Sequence, residues 1–196
     1  MDSGGGISPD LLAACQNGDR EAWRELYEAH RDRVYSIALH FLHGDSAAAA
    51  DVTQQVFLKL MDTIGSYRGT ASFATWLHRV VVNACLDAGR RSRRSRLIHE
   101  PLALETAAAG AAPPDAQISQ QETTRTVQDA IATLPPKLRI AILLRYVDDL
   151  GYAEMATALN CSIGTVSSRL SRAHQVLAER LKSLSTSAQP RAPGRT

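Results

Sequence analysis

Two short helical patterns, YAEMATAL (152–159) and IGTVSSRLSRAHQVL (163–177), are separated by only three residues, Asn160, Cys161 and Ser162. So short a connection forces the second helix to cross the first at a steep angle, the geometry of a helix-turn-helix. Asn160 suits a left-handed backbone, and Ser162 suits the cap of the helix that follows. A 3.6-residue period on that second helix places Val166, Leu170, Ala173 and Leu177 on the inward face. Opposite them lie Ser168, Ser171, Arg172 and Gln175, with Thr165 and Arg169 on one flank and Ser167 on the other. Short hydroxyls let a helix backbone approach a partner closely, while Arg172 and Gln175 can offer paired hydrogen bonds to base edges, as a DNA major groove requires. The same residues also fit an ordinary solvated helix face.

The rest of the chain carries the same period and no run of strict alternation rich in β-branched residues, so the expected fold class is all-α. Helices are predicted over about 9–17, 20–42 (capped by Asp19), 47–63 and 73–90. Together they form a first domain, 8–95. From 96 to 118 the composition shifts to alanine, proline and glycine, which reads as a flexible linker. A second domain, 119–184, contains the helix-turn-helix, and the polar tail 185–196 is expected to be disordered. No further C-terminal domain is expected.

A net charge of +2 over 196 residues is too small to make the whole molecule a polyanion binder, so nucleic-acid contact requires local clustering. One cluster is SYRGTASFATWLHRVVVNACLDAGRRSRRSR (66–96). Tyr67, Arg68 and Phe73 sit in or beside a glycine-containing loop, and exposed aromatics beside arginines hold unpaired bases by stacking. Asn83 lies two to three turns into the following helix, where its amide can meet a base turned out of the stack. Arg90 and Arg91 open the basic run, which also fits a solvated helix end favoured by the helix dipole. A second stretch, DVTQQVFLKLM (51–61), turns Val52, Val56, Phe57 and Leu60 inward and leaves Asp51, Gln54, Gln55 and Leu58 as an exposed stripe. That stripe has the make-up of a protein-docking patch, although a single exposed leucine is normal on any surface.

Other chemistry is weakly signalled. Cys15, Cys85 and Cys161 are far apart with no CxxC pair, which points away from disulfides and zinc and toward a reducing, cytoplasmic setting. His40 and His43 share a helix face without a third ligand at suitable spacing, so no metal is expected. No catalytic arrangement, cofactor motif, export signal or membrane span is evident, so the expectation is a non-enzyme without cofactors.

Taken in order, GDREAWRELYEAHRDRVYSIA, DVTQQVFLKL, YRGTASFATWLHRVVVNACLDAGRR and LPPKLRIAILLRYVDDLGYAEMATALNCSIGTVSSRLSRA resemble the extracytoplasmic-function (ECF) group of the sigma-70 family, bacterial RNA polymerase specificity subunits. The resemblance covers about residues 8–182. It implies that the Asp51–Leu60 helix docks on the clamp helices of the largest polymerase subunit, with a further contact to the flap. It implies that Tyr67, Thr70, Phe73 and Asn83 surround a flipped base of the melted −10 element, and that Ser167, Ser168, Ser171 and Arg172 read the duplex −35 element of promoter DNA. It also implies an anti-sigma factor as regulator. Gln55 stands where an acidic residue is common, and Ser167 and Ser171 are small where bulkier or basic residues are common. The alternative from the residues alone is a free-standing helix-turn-helix regulator.

Overall fold

The computed structural model describes residues 7–99 and 125–187, and every regular element among them is helical. In chain order these are α1 (Pro9–Gln16), α2 (Arg20–Phe41), α3 (Ser46–Thr63), α4 (Phe73–His99), α5 (125–132), α6 (Pro136–Tyr146), α7 (Tyr152–Ala158) and α8 (Ile163–Ser187), with a single 3₁₀ turn at Ile64–Ser66.

Local chemistry sets most of the starts. The Asp19 carboxylate accepts the Ala22 N–H at 2.9 Å and the Asp45 carboxylate accepts that of Ala48 at 2.9 Å. Ser72 Oγ receives the Thr75 N–H at 3.1 Å at the head of α4, and Ser162 Oγ receives that of Thr165 at 3.1 Å at the head of α8. Asn160 has φ +47°, the left-handed conformation its place in the three-residue turn demands.

Two boundaries differ from expectation. α4 continues to His99 instead of stopping near Arg90, so positions 96–99 of the expected linker are helical. Gly89 lies within the continued helix, and a Cβ there would stand 3.3 Å from the Phe41 ring. The glycine permits close helix packing and does not end the helix. α8 likewise continues to Ser187, past the expected boundary at 184. The remainder of the linker, the expected helix start at Ser119 and the tail from 188 onward lie outside the described residues.

In the first half, Leu26, Val34, Ile37 and Phe41 of α2 pack on Val52, Val56 and Leu60 of α3 and on Leu77, Val81 and Cys85 of α4. In the second, Leu143 and Leu144 of α6 pack with Met155 of α7 and Val166, Leu170 and Ala173 of α8. Each fully buried aliphatic side chain of this kind contributes roughly 1.5–3 kcal/mol. The two sets join in one continuous buried cluster, because α6 lies against α2 and α4 and α7 lies against α4.

Charged groups also cross this junction. Arg139, 7% exposed within α6, donates to the Phe41 carbonyl at 2.8 Å and the Leu134 carbonyl at 2.9 Å, to the Ala132 carbonyl, and contacts His43 Nε2. Its guanidinium also lies 5.4 Å from the centre of the Phe41 ring. Farther along, Arg33 of α2 donates to the Asp148 carboxylate at 2.6 Å and to the Asp148 carbonyl at 3.0 Å.

The thiols follow from the packing. Burial raises the pKa of Cys15, helped by Asp19 and Glu25, and pushes that of Cys85 up to about 12. Cys161, in the turn before α8, is half-buried. We expect one thiol per native chain to react with a disulfide reagent near neutral pH and three after denaturation, because only the thiolate attacks. Two reactive thiols in the native protein would contradict this packing.

Candidate nucleic-acid and protein-docking surfaces

The helix-turn-helix presents its outer face as the periodicity requires. Ser167, Ser168, Ser171, Arg172 and Gln175 are exposed on α8, whereas Val166, Leu170 and Ala173 are buried and Leu177 is half-buried. Thr165 and Arg169 are half-buried. Thr165 Oγ1 lies 2.9 Å from Ser162 Oγ and an Arg169 N–H lies 3.7 Å from Cys161 Sγ, so both side chains brace the turn. On the opposite flank, the Tyr146 hydroxyl lies 2.9 Å from His174 Nε2. Nothing in the spacing of α8 announced that tyrosine, which arrives from α6.

The aromatic loop departs from expectation at one residue. Phe73 is 2% exposed, with ring centres of His30, Tyr67 and Trp76 at 5.6, 5.9 and 5.8 Å. It is therefore core, and its ring cannot stack on a base; it supports Tyr67 from beneath. Its place as the first residue of α4, facing the α2 side, determines this. Tyr67 is half-buried with its hydroxyl donating to the Ala71 carbonyl at 2.7 Å, while Arg68 and Thr70 are exposed. Gly69, at φ +69°, makes the bend that turns these two outward.

Behind the loop, Asn83 is exposed on a stripe of α4 that continues through Asp87, Arg90 and Arg94 at i+4, i+7 and i+11. Arg79, four residues before Asn83, is exposed on the same stripe; the sequence reading passed over it although the helical period singles it out. Arg90 pairs with Asp87 at the surface.

On α3, Asp51, Gln54, Gln55 and Leu58 are all exposed, and Val52, Val56, Phe57 and Leu60 are buried. Leu58 and Met61 are each 54% exposed and, with Tyr27, line a shallow groove between α2 and α3. The Gln55 amide oxygen accepts a hydrogen bond from Arg91 of α4 at 3.0 Å, so the exposed α3 stripe and the basic helix touch.

Among the described residues, no three His, Cys, Asp or Glu side chains gather to hold a metal ion, and no helix is long and apolar enough to cross a membrane. His40 Nδ1 lies 2.7 Å from the Ser36 carbonyl oxygen, and His43 is engaged with Arg139.

Residues 26–95 match the family model described as Sigma-70 region 2, and residues 124–177 match Sigma-70, region 4. The RNA polymerase sigma-H factor of Pseudomonas aeruginosa is 31% identical over 181 residues, covering 89% of this chain and 93% of its own length. The chain is an extracytoplasmic-function sigma factor of the sigma-70 family. The ECF sigma-E factor of Escherichia coli is 31% identical over 183 residues (89% and 94% covered), and ECF sigma factor SigW of Bacillus subtilis 29% identical over 177 (86% and 94%). Among solved structures, this sigma factor shares its fold with CnrH in complex with the cytosolic domain of CnrY, at TM-score 0.64, 21% identity and 89% and 96% coverage. It likewise shares the fold of RpoE, seen with the anti-sigma factor NepR from Bartonella quintana, at TM-score 0.64, 22% identity and 81% and 96% coverage. As a sigma factor, the chain binds core RNA polymerase and directs promoter-specific initiation.

Proposed function

We propose that this sigma factor divides promoter recognition between a first domain, 8–95, and a second, 119–184. The α3 stripe of Asp51, Gln54, Gln55 and Leu58 docks on the clamp helices of the largest polymerase subunit, and the second domain meets the flap. Tyr67, Arg68, Thr70 and Asn83 receive an unpaired base of the −10 element, with Arg90 and Arg91 holding the nearby backbone. The α8 face reads the −35 duplex through Ser167, Ser168, Ser171, Arg172 and Gln175, with Thr165 and Arg169 bracing its entry. The chain supplies no catalytic step, works in the cytoplasm, and is held in check by an anti-sigma factor.

The observation that carries this reading is the exposed face of α8 behind a turn set by Asn160 and Ser162, on the same chain as an exposed polar and leucine stripe. A single helix-turn-helix buries little surface on DNA and binds weakly by itself, so attachment to a polymerase supplies the missing affinity. A gel-shift assay with and without core polymerase is the test. Promoter-specific binding is expected only with core enzyme; strong specific binding by the isolated chain would make it a free-standing regulator.

Arg172 is the long, exposed reader on this face. Arg172→Ala is expected to weaken promoter binding by roughly 1–3 kcal/mol and to relax selection at one −35 position. Equal loss on every sequence would make it a phosphate contact instead.

A further inference from the structure

Tyr146 is the last residue of α6, and at 64% exposed it is the most open large apolar residue among those described. Its hydroxyl is nonetheless engaged, 2.9 Å from His174 Nε2 of α8, with the two ring centres 5.8 Å apart and the planes at 66°. The preceding Arg145 donates to the Leu150 carbonyl at 3.0 Å and to the Asp149 carboxylate at 3.2 Å, which ties down the end of α6 from which the tyrosine projects. An exposed hydrogen bond adds little to folding stability, because water competes for both groups. The pair therefore fixes the direction of two side chains more than it holds the fold.

The direction matters because of where His174 stands. It follows Gly164, Ser167 and Ser171 at i+10, i+7 and i+3, so the four share one edge of α8, and all are exposed. The first three are short. His174 is the first residue along that edge with the reach to touch anything beyond the helix surface. A helix seated in a major groove has phosphates running past its edges, and contacts to them set its register.

Tyr146 also decides which imidazole nitrogen is left to donate. Its hydroxyl engages Nε2, either donating to the neutral ring or accepting from the protonated one, and in both states Nδ1–H remains a donor. Phosphate oxygens accept from such a group, and a cationic ring strengthens the bond.

Given α8 as the reader of the −35 element, the reading on which this contact rests, we propose that His174 donates to a backbone phosphate of the −35 duplex. Tyr146 is its positioning residue, holding the ring and its tautomer for that bond. The contact adds affinity without sequence choice, since a phosphate is the same beside every base pair. It supplies grip on the edge where Ser167 and Ser171 are too short to reach far.

The test titrates holoenzyme, assembled from core polymerase and the full-length chain, onto a promoter duplex selected with it from a randomised pool. Wild type is compared with His174→Ala, Tyr146→Phe and the double variant. His174→Ala is expected to weaken binding about tenfold and Tyr146→Phe about threefold, by the same factor on the selected −35 sequence and on its single-base variants. The double variant should match His174→Ala, because the hydroxyl acts only through the imidazole. Replacing the −35 phosphates one at a time by uncharged methylphosphonate should reveal a position that wild type feels and His174→Ala ignores. Melting temperature and core affinity should stay at wild-type values.

The contact is overturned if no phosphate shows that dependence, or if both single variants bind the promoter as wild type does. Losses confined to particular −35 bases overturn the phosphate assignment, and weakened core binding would make the pair a polymerase contact instead. Wild-type holoenzyme indifferent to every −35 base change would strike the reading of α8 itself, whereas intact base selection with unaffected variants strikes His174 and Tyr146 alone.

Discussion

Asp51→Arg is expected to abolish capture of this sigma factor by core polymerase, lowering affinity by about 100-fold or more, while leaving thermal unfolding unchanged. Asp51 is exposed on α3, one turn before Gln55, and no buried group depends on it. Substitutions at such positions typically change stability by less than about 0.5 kcal/mol. At an interface the same change acts differently, because reversing a charge opposite a complementary surface creates a like-charge contact that costs several kcal/mol. Arg91 of α4 already meets the stripe one helical turn on, through its bond to Gln55, so the new arginine adds positive charge where Asp51 had been negative. Pull-down with core enzyme alongside circular dichroism checks both halves of the expectation. Retained capture by a folded variant would remove α3 as the docking helix.

The second large effect concerns stability. Arg139→Ala is expected to lower the melting temperature by about 10 °C. Arg139 is almost wholly buried and serves carbonyls at Phe41, Ala132 and Leu134 at once. Its removal leaves those acceptors dry and opens a void under the Phe41 ring, a loss on the order of 3–5 kcal/mol for a broken buried charged network. For a chain of this size each kcal/mol shifts the transition by about 2–4 °C. Lysine at the same position should recover little, since one ammonium cannot reproduce a planar fork of donors. A shift below about 3 °C for the alanine variant, measured calorimetrically, would mean the network is solvated and incidental.

Local chemistry was the legible part of this molecule. The caps at Asp19 and Ser162, the left-handed Asn160 and the inward faces of α3 and α8 all depend on neighbours within one or two turns, and they stand where the spacing placed them. The α8 and α3 surfaces followed from the same periodicity. What was not legible depends on remote partners. Phe73 looked like an exposed ring beside a basic loop, and only the approach of His30 from α2 makes it core. The helix predicted to end near Arg90 runs on to His99, and the small Gly89 within it is explained only by the Phe41 ring of another helix. Arg33 and Asp148 are 115 residues apart, and no spacing rule connects two such positions. Arg139 did leave a trace, as the single charge on the apolar face of KLRIAILLRYV, which signals a buried cation in need of acceptors.

The acceptors around Arg139 have a genetic corollary. Three of them belong to the main chain, so substitutions at Phe41, Ala132 or Leu134 alter shape without deleting an oxygen. A lesion at Arg139 therefore has few second-site suppressors at these three positions, because a main-chain oxygen cannot be exchanged for another group by substitution. The pair formed by Arg33 and Asp148 joins side chain to side chain and lies open to such reciprocal swaps. Lineages of this sequence can thus drift at one joint between the halves while remaining pinned at the other.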